Sequence, residues 1–158
     1  MSVAFRRDSD EERLEPKFEL PVPAGPNWVT ARGLELIGET VRRLQQELAL
    51  ATEDAKIAAI KRDLRYWQAR QITAEVQPPA SGDKVEFGVT AHLLIHGRSK
   101  HFGIVGDDEA DPASGTISFK APLAQAILGA EVGDLLPLGD TDDAIEIIAI
   151  EVAPITSG

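Results

Sequence analysis

The sequence predicts an α+β protein in which an N-terminal antiparallel α-helical hairpin precedes an antiparallel β-sheet domain with one short helix. Three observations lead to this fold class. Apolar residues recur at spacings of three and four over residues 30–77, apolar and polar residues alternate beyond residue 83, and the breaker cluster Pro-Pro-Ala-Ser-Gly at 78–82 separates the two patterns. We therefore expect a helical hairpin at 30–77, a linker at 78–82 and a sheet domain at 83–152.

The two ends of the chain lie outside these patterns. Residues 1–29 contain four prolines among mixed charges and lack apolar periodicity, so we expect an extended or disordered leader, and residues 153–158 form a short tail. One alternative stays open for the leader. The spacing of two between Phe18, Leu20 and Val22 would let it dock as an extended arm on the folded part of the chain.

Two runs of mostly apolar residues predict the two helices of the hairpin. The first run comprises Leu34, Ile37, Val41, Leu44 and Leu48, and the second comprises Ile57, Ile60, Leu64, Trp67, Gln71 and Ala74. Because only residues 51–55 connect the runs, the helices must pack antiparallel. Each arm of about 21 residues would be roughly 32 Å long.

Both helices have a candidate N-terminal cap. Thr30 stands directly before the first apolar run, and Thr52 stands before the second. In the second helix, Glu53 and Asp54 would then fill the first turn, where the helix dipole favours acidic side chains.

Short apolar runs bounded by Gly, Asp and Pro predict the strands. Val85–Ile95 alternates over eleven residues and predicts a long half-buried strand, which a turn at 96–100 would connect to a returning strand that ends at Gly106. Pro122 is expected to open a short helix that ends near Gly129. The remaining strands are predicted at Thr116–Phe119, Leu135–Leu138 and Ile145–Val152.

Composition and charge exclude several classes of protein. The 158-residue chain has no cysteine, so it has neither disulfides nor thiolate metal sites, and no apolar run approaches the roughly 20 residues of a membrane span. Its N-terminus has no signal-peptide core, which predicts a soluble cytoplasmic protein without a membrane partner. The net charge of −10 argues against a protein that coats naked nucleic acid.

The acidic charge is unevenly distributed along the chain. The leader has 4 basic and 6 acidic residues, residues 30–77 have 8 and 7, and residues 78–158 have 4 and 13, so the local charges are −2, +1 and −9. Most basic residues of the hairpin lie on its second arm, and Arg42 and Arg43 lie at a comparable height on the first arm. Together they predict a basic flank, whose main members are Arg42, Arg43, Lys61, Arg62 and Arg65. This flank is either a solvated outer face or a surface that contacts phosphates.

Several motifs beyond residue 84 stand in the order and spacing of a known family. They are Val85-x-Phe87-Gly88, the run Ile-Val-Gly-Asp-Asp-Glu-Ala-Asp at 104–111, the stretch Ile117-Ser118-x-x-Ala121-Pro122-Leu123-Ala124-x-Ala126-Ile127-Leu128-Gly129, and Glu131-x-Gly133-Asp134. Together they resemble the C-terminal domain of the bacterial transcription elongation factors GreA and GreB. The hairpin resembles the N-terminal coiled coil of that family, and Thr30-x-x-Gly33-Leu34 is similar to its opening.

The resemblance implies a fold and a function. The C-terminal domain would be FKBP-like and would bind RNA polymerase at the rim of its secondary channel, while the hairpin enters the channel. Acidic residues at the hairpin tip would help hold a catalytic Mg²⁺ in the polymerase active site, so that the polymerase cleaves backtracked RNA. The basic flank would face the RNA 3′ end, and contact with RNA or DNA is expected only within the transcription complex. The factor would have no catalytic residues or cofactor of its own and would not be an enzyme.

The tip and the length of the hairpin depart from the family pattern. Members that promote cleavage carry an Asp-x-x-Glu-Asn type run on a much longer hairpin, whereas the candidate tip acids here are Glu53 and Asp54. Each missing helical turn shortens the reach by about 5.4 Å. Short-armed relatives such as Rnk, the regulator of nucleoside diphosphate kinase, share the C-terminal domain. The alternative function is therefore a non-cleaving, Rnk-like modulator that binds polymerase and competes with cleavage factors.

The polymerase-binding element of the family, Ser-x-x-Ser-Pro, corresponds to residues 118–122 in this sequence. The resemblance implies that Ser118, Lys120, Ala121 and Pro122 contact polymerase. Two of these positions depart from the family pattern, because Ala121 replaces the usual serine and Lys120 replaces a residue that is often small and polar or acidic. Pro122 is in addition an ordinary first residue of a helix.

No stable metal site is expected. The run Asp-Asp-Glu-x-Asp at 107–111 lacks the glycine and the distal glutamate of an EF-hand loop, so we expect an acidic connection between strands. His92 and His96 would lie about 13 Å apart on a strand, too far to share one ion. His96 is placed to face His101 across the turn, but no third ligand is evident.

Two rival functions stay open. An FKBP-like fold raises prolyl isomerisation, but the aromatic pocket of such an enzyme would have only Phe87, Phe102 and Phe119 here, whose strand spacing predicts core positions. A binding module for a protein other than polymerase is the second rival, and it would fail to bind polymerase at all.

Overall fold

The computed structural model describes residues 19–152. Residues 1–18 of the predicted leader, which include Phe18, and the predicted tail at 153–158 lie outside the described residues. The chain divides into two compact units. The helical unit and the sheet unit, named here for their main elements, consist of residues 19–24 with 38–72 and of residues 25–37 with 73–152. The domain boundaries expected from composition stay predictions.

Two helices of 20 residues each dominate the first part of the chain. α1 (Ala31–Leu50) and α2 (Asp54–Thr73) are joined by residues 51–53. They pack on each other through a cluster of buried side chains that comes from both predicted apolar runs: Val41, Leu44, Ile60 and Leu64. Within residues 19–152, none of the helices combines the length and the apolar composition that a membrane-spanning helix needs.

The two helices begin with different kinds of cap. Thr30 caps α1 as predicted, since its Oγ1 accepts a hydrogen bond from the Gly33 N–H at 2.9 Å. In α2 the Ile57 N–H donates to the Glu53 carbonyl at 2.9 Å, so Glu53 occupies the cap position. The prediction that Thr52 is the cap is therefore wrong by one residue.

The last residues of the predicted leader belong to the sheet unit. β1 (Trp28–Val29) pairs in parallel with β2 (Glu75–Val76), which follows α2. Asn27 is buried, and its amide nitrogen donates to the Thr73 hydroxyl at 3.1 Å. Residues 27–29 are thus packed and hydrogen-bonded rather than part of a solvated leader.

The main sheet has five strands and carries one short α-helix. In chain order these elements are β3 (Val89–Ile95), β4 (Arg98–Val105), β5 (Thr116–Ser118), α3 (Pro122–Ile127), β6 (Leu135–Leu138) and β7 (Thr141–Val152). Across the sheet the strands follow the order β5-β4-β3-β7-β6. The prediction of a mixed helix and sheet protein is confirmed.

The prediction of an antiparallel sheet is wrong at one edge. β5 runs parallel to β4, with Gly103 opposite Thr116, whereas the other neighbouring pairs are antiparallel. No tight turn joins these two strands. Residues 106–115, which include a 3₁₀ turn at Pro112–Ser114, carry the chain back along β4 before β5 begins. A crossover of this kind is what a parallel pair requires.

The first strand of the sheet is shorter than the alternating pattern predicts. β3 begins at Val89, and Val85 pairs instead with the loop after α3. Its N–H donates to the Ala130 carbonyl and its carbonyl accepts from the Gly129 N–H, both at 2.7 Å. Val85 and Phe87 are buried in the core. The alternation over these residues therefore reflects burial rather than strand pairing.

The turn between β3 and β4 is tighter than predicted. It consists of His96 and Gly97, whose φ angles of +50° and +80° are those of a two-residue hairpin turn. Strand pairing resumes at once, with Arg98 opposite Ile95. Because the turn is two residues long, the pairing across the hairpin differs from that of a turn over 96–100.

The core of the sheet unit lies where α3 packs on the sheet. α3 buries Ala124 and Ile127 in a cluster with strand residues. The most deeply buried strand members of this cluster are Val89, Ala91, Leu93, Ile104, Ile145 and Ile147. Trp28 packs against the same cluster from β1.

Candidate functional site

Asp107 holds the loop that connects β5 to α3. The Ser118 hydroxyl donates to Asp107 Oδ1 at 2.6 Å, and Lys120 Nζ donates to Asp107 Oδ2 at 2.8 Å. The Lys120 N–H also donates to Ser118 Oγ at 3.1 Å. The side chains of Lys120 and Asp107 are only 28% and 15% exposed, so water screens this ion pair less than it screens a surface pair. The two polar side chains of the loop are therefore fixed relative to each other.

Phe119 anchors the centre of the same loop in the core. Its ring is buried, with the Trp28 ring stacked on it at 4.7 Å between centroids and the Phe87 ring edge-on at 5.5 Å. The Gln125 side-chain amide donates to the Phe119 carbonyl at 2.7 Å. Because both the ring and the carbonyl of Phe119 are held, the surrounding loop has a defined conformation.

Ala121 and Pro122 form the start of α3. Ala121 is the N-cap residue, with φ −64° and ψ 147°, and Pro122 follows in the first turn. Alanine has no side-chain oxygen that could accept a bond from the first turn, whereas a serine at this position would. Pro122 is exposed and Ala121 is half-buried. The helix-starting role of Pro122 thus leaves its ring available to a partner.

The acidic side chains at 107–111 have separate partners. Asp107 binds the loop described above, Glu109 accepts two hydrogen bonds from Thr30, and Asp111 accepts one from the Ser114 hydroxyl at 2.7 Å. Within residues 19–152 the structure has no group of three or more His, Cys, Asp or Glu side chains that could hold a metal ion. These contacts are those of a structural connection between strands.

The three histidines are arranged differently from the prediction. His92 lies opposite His101 on the neighbouring strand, with 5.6 Å between ring centroids, and its Nε2 is 3.4 Å from Glu151. His96 is in the turn, where its N–H donates to the Ala144 carbonyl. The prediction that His96 faces His101 is therefore wrong, because the tight turn sets a pairing register in which His92 is the partner.

The candidate tip acids are exposed at the junction of the two helices. Glu53 is the cap residue of α2 and Asp54 is the first residue of the helix. Both carboxylates are next to the N-terminal end of α2, where the helix dipole favours negative charge. The start of α2 therefore accounts for the position of both acids, in addition to the role at the hairpin tip that the resemblance implies.

Two of the basic candidates lie on α1. Arg42 and Arg43 are both exposed. Arg43 Nη1 donates to Glu47 Oε2 at 2.9 Å, an i,i+4 pair of exposed side chains that contributes little to stability.

The other three basic candidates lie on α2. Lys61 and Arg65 are exposed, and Arg62 is less accessible, with its Nη2 3.2 Å from Asp63. Arg65 Nε donates to both carboxylate oxygens of Glu19, at 2.9 and 2.6 Å. This bond holds the pKa of the Glu19 carboxyl below its ordinary value, so the pair persists at neutral pH and is lost as the pH falls through the lowered pKa.

A cavity of about 410 Å³ opens in the sheet unit, beside the segment that leads into the sheet. Its apolar lining includes Pro78, Pro79, Val89 and Val105. Of the three phenylalanines considered for a prolyl isomerase pocket, Phe87 lines this cavity. The aromatic lining that such an enzyme needs is not assembled here.

The candidate residues thus fall into two groups in different units. The sheet unit brings Ser118, Lys120, Ala121 and Pro122 together in one loop, and the helical unit carries the tip acids and the basic flank. Sequence reasoning missed Asp107, which ties the loop together. The only local signal was its place in an acidic run directly after a strand, because its partners lie 11 and 13 residues further along the chain.

Residues 79–152 match the family described as transcription elongation factor, GreA/GreB, C-term. Among curated proteins, the chain is 33% identical over 130 residues to transcription elongation factor GreA of Desulfovibrio desulfuricans, an alignment that covers 67% of this chain and 80% of that protein. It is 34% identical over 105 residues to GreA of Agrobacterium fabrum, covering 61% and 66%. The match to GreA of Nitratidesulfovibrio vulgaris strain Miyazaki F, 44% over 75 residues, covers about half of that protein (47%) and 46% of this chain.

Solved structures of related proteins also align with this chain. The GreA factor homolog Gfh1 of Thermus thermophilus shares 20% identity with a TM-score of 0.38, covering 80% of this chain and 99% of that one. A GreA/GreB factor from Nitrosomonas europaea shares 18% identity with a TM-score of 0.38, covering 81% and 99%.

Proposed function

Because the chain belongs to the GreA/GreB family of transcription elongation factors, we propose that it binds bacterial RNA polymerase at the secondary channel and regulates elongation. The observation that carries this proposal is the loop at 118–122, which Asp107 and Phe119 hold in a defined conformation. A preorganised loop loses little conformational entropy on binding, which favours a specific protein contact.

The sheet unit would act as the docking part, with an FKBP-like fold. In this role Ser118 and Lys120 present polar groups whose positions Asp107 sets, and Pro122 offers an exposed apolar ring beside them. Asp107 also neutralises Lys120 locally, which lowers the cost of burying the lysine against a partner.

The helix pair would be the coiled coil that enters the channel. In that position Arg42, Arg43, Lys61, Arg62 and Arg65 would face the channel wall or the RNA 3′ end, where positive charge attracts phosphates. Contact with RNA or DNA would occur within the transcription complex, with Mg²⁺ supplied by the polymerase active site. The factor would act in the cytoplasm and would not be an enzyme itself.

Two versions of this function differ in whether the tip acids, Glu53 and Asp54, reach the Mg²⁺ in the polymerase active site. In the cleavage version, Glu53 and Asp54 help hold the metal and its water. In the alternative version, the chain is a non-cleaving, Rnk-like modulator that competes with cleavage factors. The length of the arms favours the alternative, because 20 helical residues span about 30 Å. The placement of both acids at the start of α2, where helix formation alone accounts for them, favours it as well.

Polymerase docking is tested by Asp107→Asn. Loss of the carboxylate charge weakens the bond to Lys120 and loosens Ser118, so we expect the affinity for purified RNA polymerase to fall about tenfold, measured by fluorescence anisotropy of labelled protein. Asp111→Asn is the matched control, since it removes an equivalent charge from the same connection without touching the loop. Equal affinity of Asp107→Asn and the parent protein would contradict the assigned docking loop, and failure of the parent protein to bind would refute the function.

Cleavage is tested with backtracked elongation complexes and Mg²⁺. If the chain is a cleavage factor, it shortens the transcript, and the double variant Glu53→Ala, Asp54→Ala abolishes the effect while it still binds polymerase. If it is the non-cleaving modulator, the parent protein leaves the transcript intact and slows cleavage by an authentic factor. The control Glu35→Ala removes an acid from α1 whose ion-pair partner, Arg32, lies outside the basic flank, and it should behave as the parent in either case.

A further inference from the structure

The side chain of Arg65 binds a carboxylate of the same chain, that of Glu19. Both carboxylate oxygens of Glu19 accept a hydrogen bond from Arg65 Nε, and Arg62 on the same helix also attracts that carboxylate. A guanidinium group binds carboxylates and phosphates with the same fork of donors. Glu19 therefore occupies a position on α2 that suits a phosphate group.

The segment that carries Glu19 packs with the helices. Residues 19–24 belong to the helical unit together with α2. Leu20 and Pro23 are half-buried, whereas the Val22 side chain is 53% exposed. The segment is therefore partly packed, but the prediction of an arm that docks through residues spaced by two is wrong at Val22, which is exposed while the neighbouring Pro23 is half-buried. The segment also lies outside residues 79–152, which match the family.

We propose that residues 19–24 form an autoinhibitory strap in which Glu19 competes with the phosphates of single-stranded RNA for Arg65. The inference rests on the proposed function, because it takes the basic flank as the surface that faces RNA. The competition is reversible: Arg65 and Glu19 are 54% and 59% exposed, and an ion pair that water reaches so freely is weak. RNA held nearby by polymerase displaces the strap, whereas free RNA at low concentration does not.

The strap predicts a specific change in RNA affinity. In the isolated 158-residue chain at low salt, Glu19→Gln should bind a short labelled oligouridylate about two- to fivefold more tightly than the parent protein. The difference should shrink as salt is raised, because both the pair and the phosphate contact are screened. Glu131→Gln is the matched control: it removes the same charge from an exposed site in the sheet unit and should leave the affinity unchanged.

A second measurement follows the strap directly. The chain has no cysteine, so Val22→Cys allows a single nitroxide label on the exposed side of the strap. The electron paramagnetic resonance spectrum should show greater label mobility when Glu19→Gln is added. It should show the same increase when saturating oligouridylate is added to the labelled protein with Glu19 intact, because RNA then displaces the strap.

Several results would overturn the strap. The first is that Glu131→Gln increases the affinity for oligouridylate as much as Glu19→Gln does. The second is that Glu19→Gln does not bind RNA. The third is that the mobility of the label at position 22 changes neither with Glu19→Gln nor with added RNA. None of these measurements uses polymerase. Loss of the strap effects with intact polymerase binding would refute the strap alone, whereas strap effects without polymerase binding would refute the proposed function alone.

Discussion

Gly106→Ala should destabilise the sheet unit by about 2–3 kcal/mol. A Cβ at this position would overlap the carbonyl oxygen of Trp28 and lie 3.4 Å from its carbonyl carbon. Both are backbone atoms, so relief requires β1 to move. β1 resists that movement because the Trp28 ring is stacked on Phe119 and Val29 is 1% exposed. The residue at 106 therefore has to be glycine for a packing reason.

Urea unfolding followed by tryptophan fluorescence measures this effect. The chain has two tryptophans, Trp28 in the sheet unit and Trp67 in the helical unit, so Trp67→Phe leaves a reporter for the sheet unit alone. The matched control is Gly38→Ala, whose Cβ would make an ordinary 3.5 Å contact with Gln71. Alanine is favoured over glycine in a helix by about 1 kcal/mol, so this control, made in the chain that keeps Trp67, should be neutral or stabilising. An unchanged midpoint for Gly106→Ala would contradict the packing of Gly106 on Trp28.

Glu109→Ala should destabilise the sheet unit by about 2–3 kcal/mol, the second large effect expected in this protein. The carboxylate accepts hydrogen bonds from the Thr30 hydroxyl at 2.5 Å, from the Thr30 N–H at 3.1 Å and from the Gly106 N–H at 3.4 Å. It lies at the N-terminal end of α1, where negative charge is favoured. A Cβ on Gly33 would overlap this carboxylate, which accounts for the glycine in the first turn of α1.

Two comparisons separate the role of Glu109 from a general loss of charge. Glu131→Ala removes an exposed carboxylate from the same unit and should change the free energy of unfolding by less than about 0.5 kcal/mol. In a double-mutant cycle, Thr30→Val and Glu109→Ala should show a coupling energy of about 1 kcal/mol or more, because both remove the same hydrogen bond. Additive effects of the two substitutions would show that the bond from the Thr30 hydroxyl to Glu109 does not stabilise the fold.

The sequence predicted those features whose causes lie within a few residues. Thr30 was recognisable as a cap because its partner, the Gly33 N–H, is three residues away. The cluster of Val41, Leu44, Ile60 and Leu64 followed from helical periodicity, since residues three and four apart share one face of a helix. The position of Pro122 at the start of α3 followed from its fixed φ angle and missing N–H.

The remaining features depended on contacts between distant residues. Glu109 meets Thr30 across 79 positions, and Glu19 meets Arg65 across 46, so no local pattern could assign either carboxylate its partner. The parallel pairing of β5 was missed for the same reason, because it depends on the path of residues 106–115 rather than on strand composition.

By itself, the sequence determined the class of fold, the two helices, most of the strands, and the motifs that identify the family, because periodicity, breakers and motif spacing are local properties of the chain. The tertiary structure alone decided what each acidic side chain does. Asp107 holds the loop at 118–122, Glu109 holds the start of α1, and Glu19 accepts hydrogen bonds from Arg65. All three residues carry a carboxylate, and nothing in the neighbouring sequence distinguishes their roles. The roles differ because the folded chain brings different hydrogen-bond donors within reach of each carboxylate.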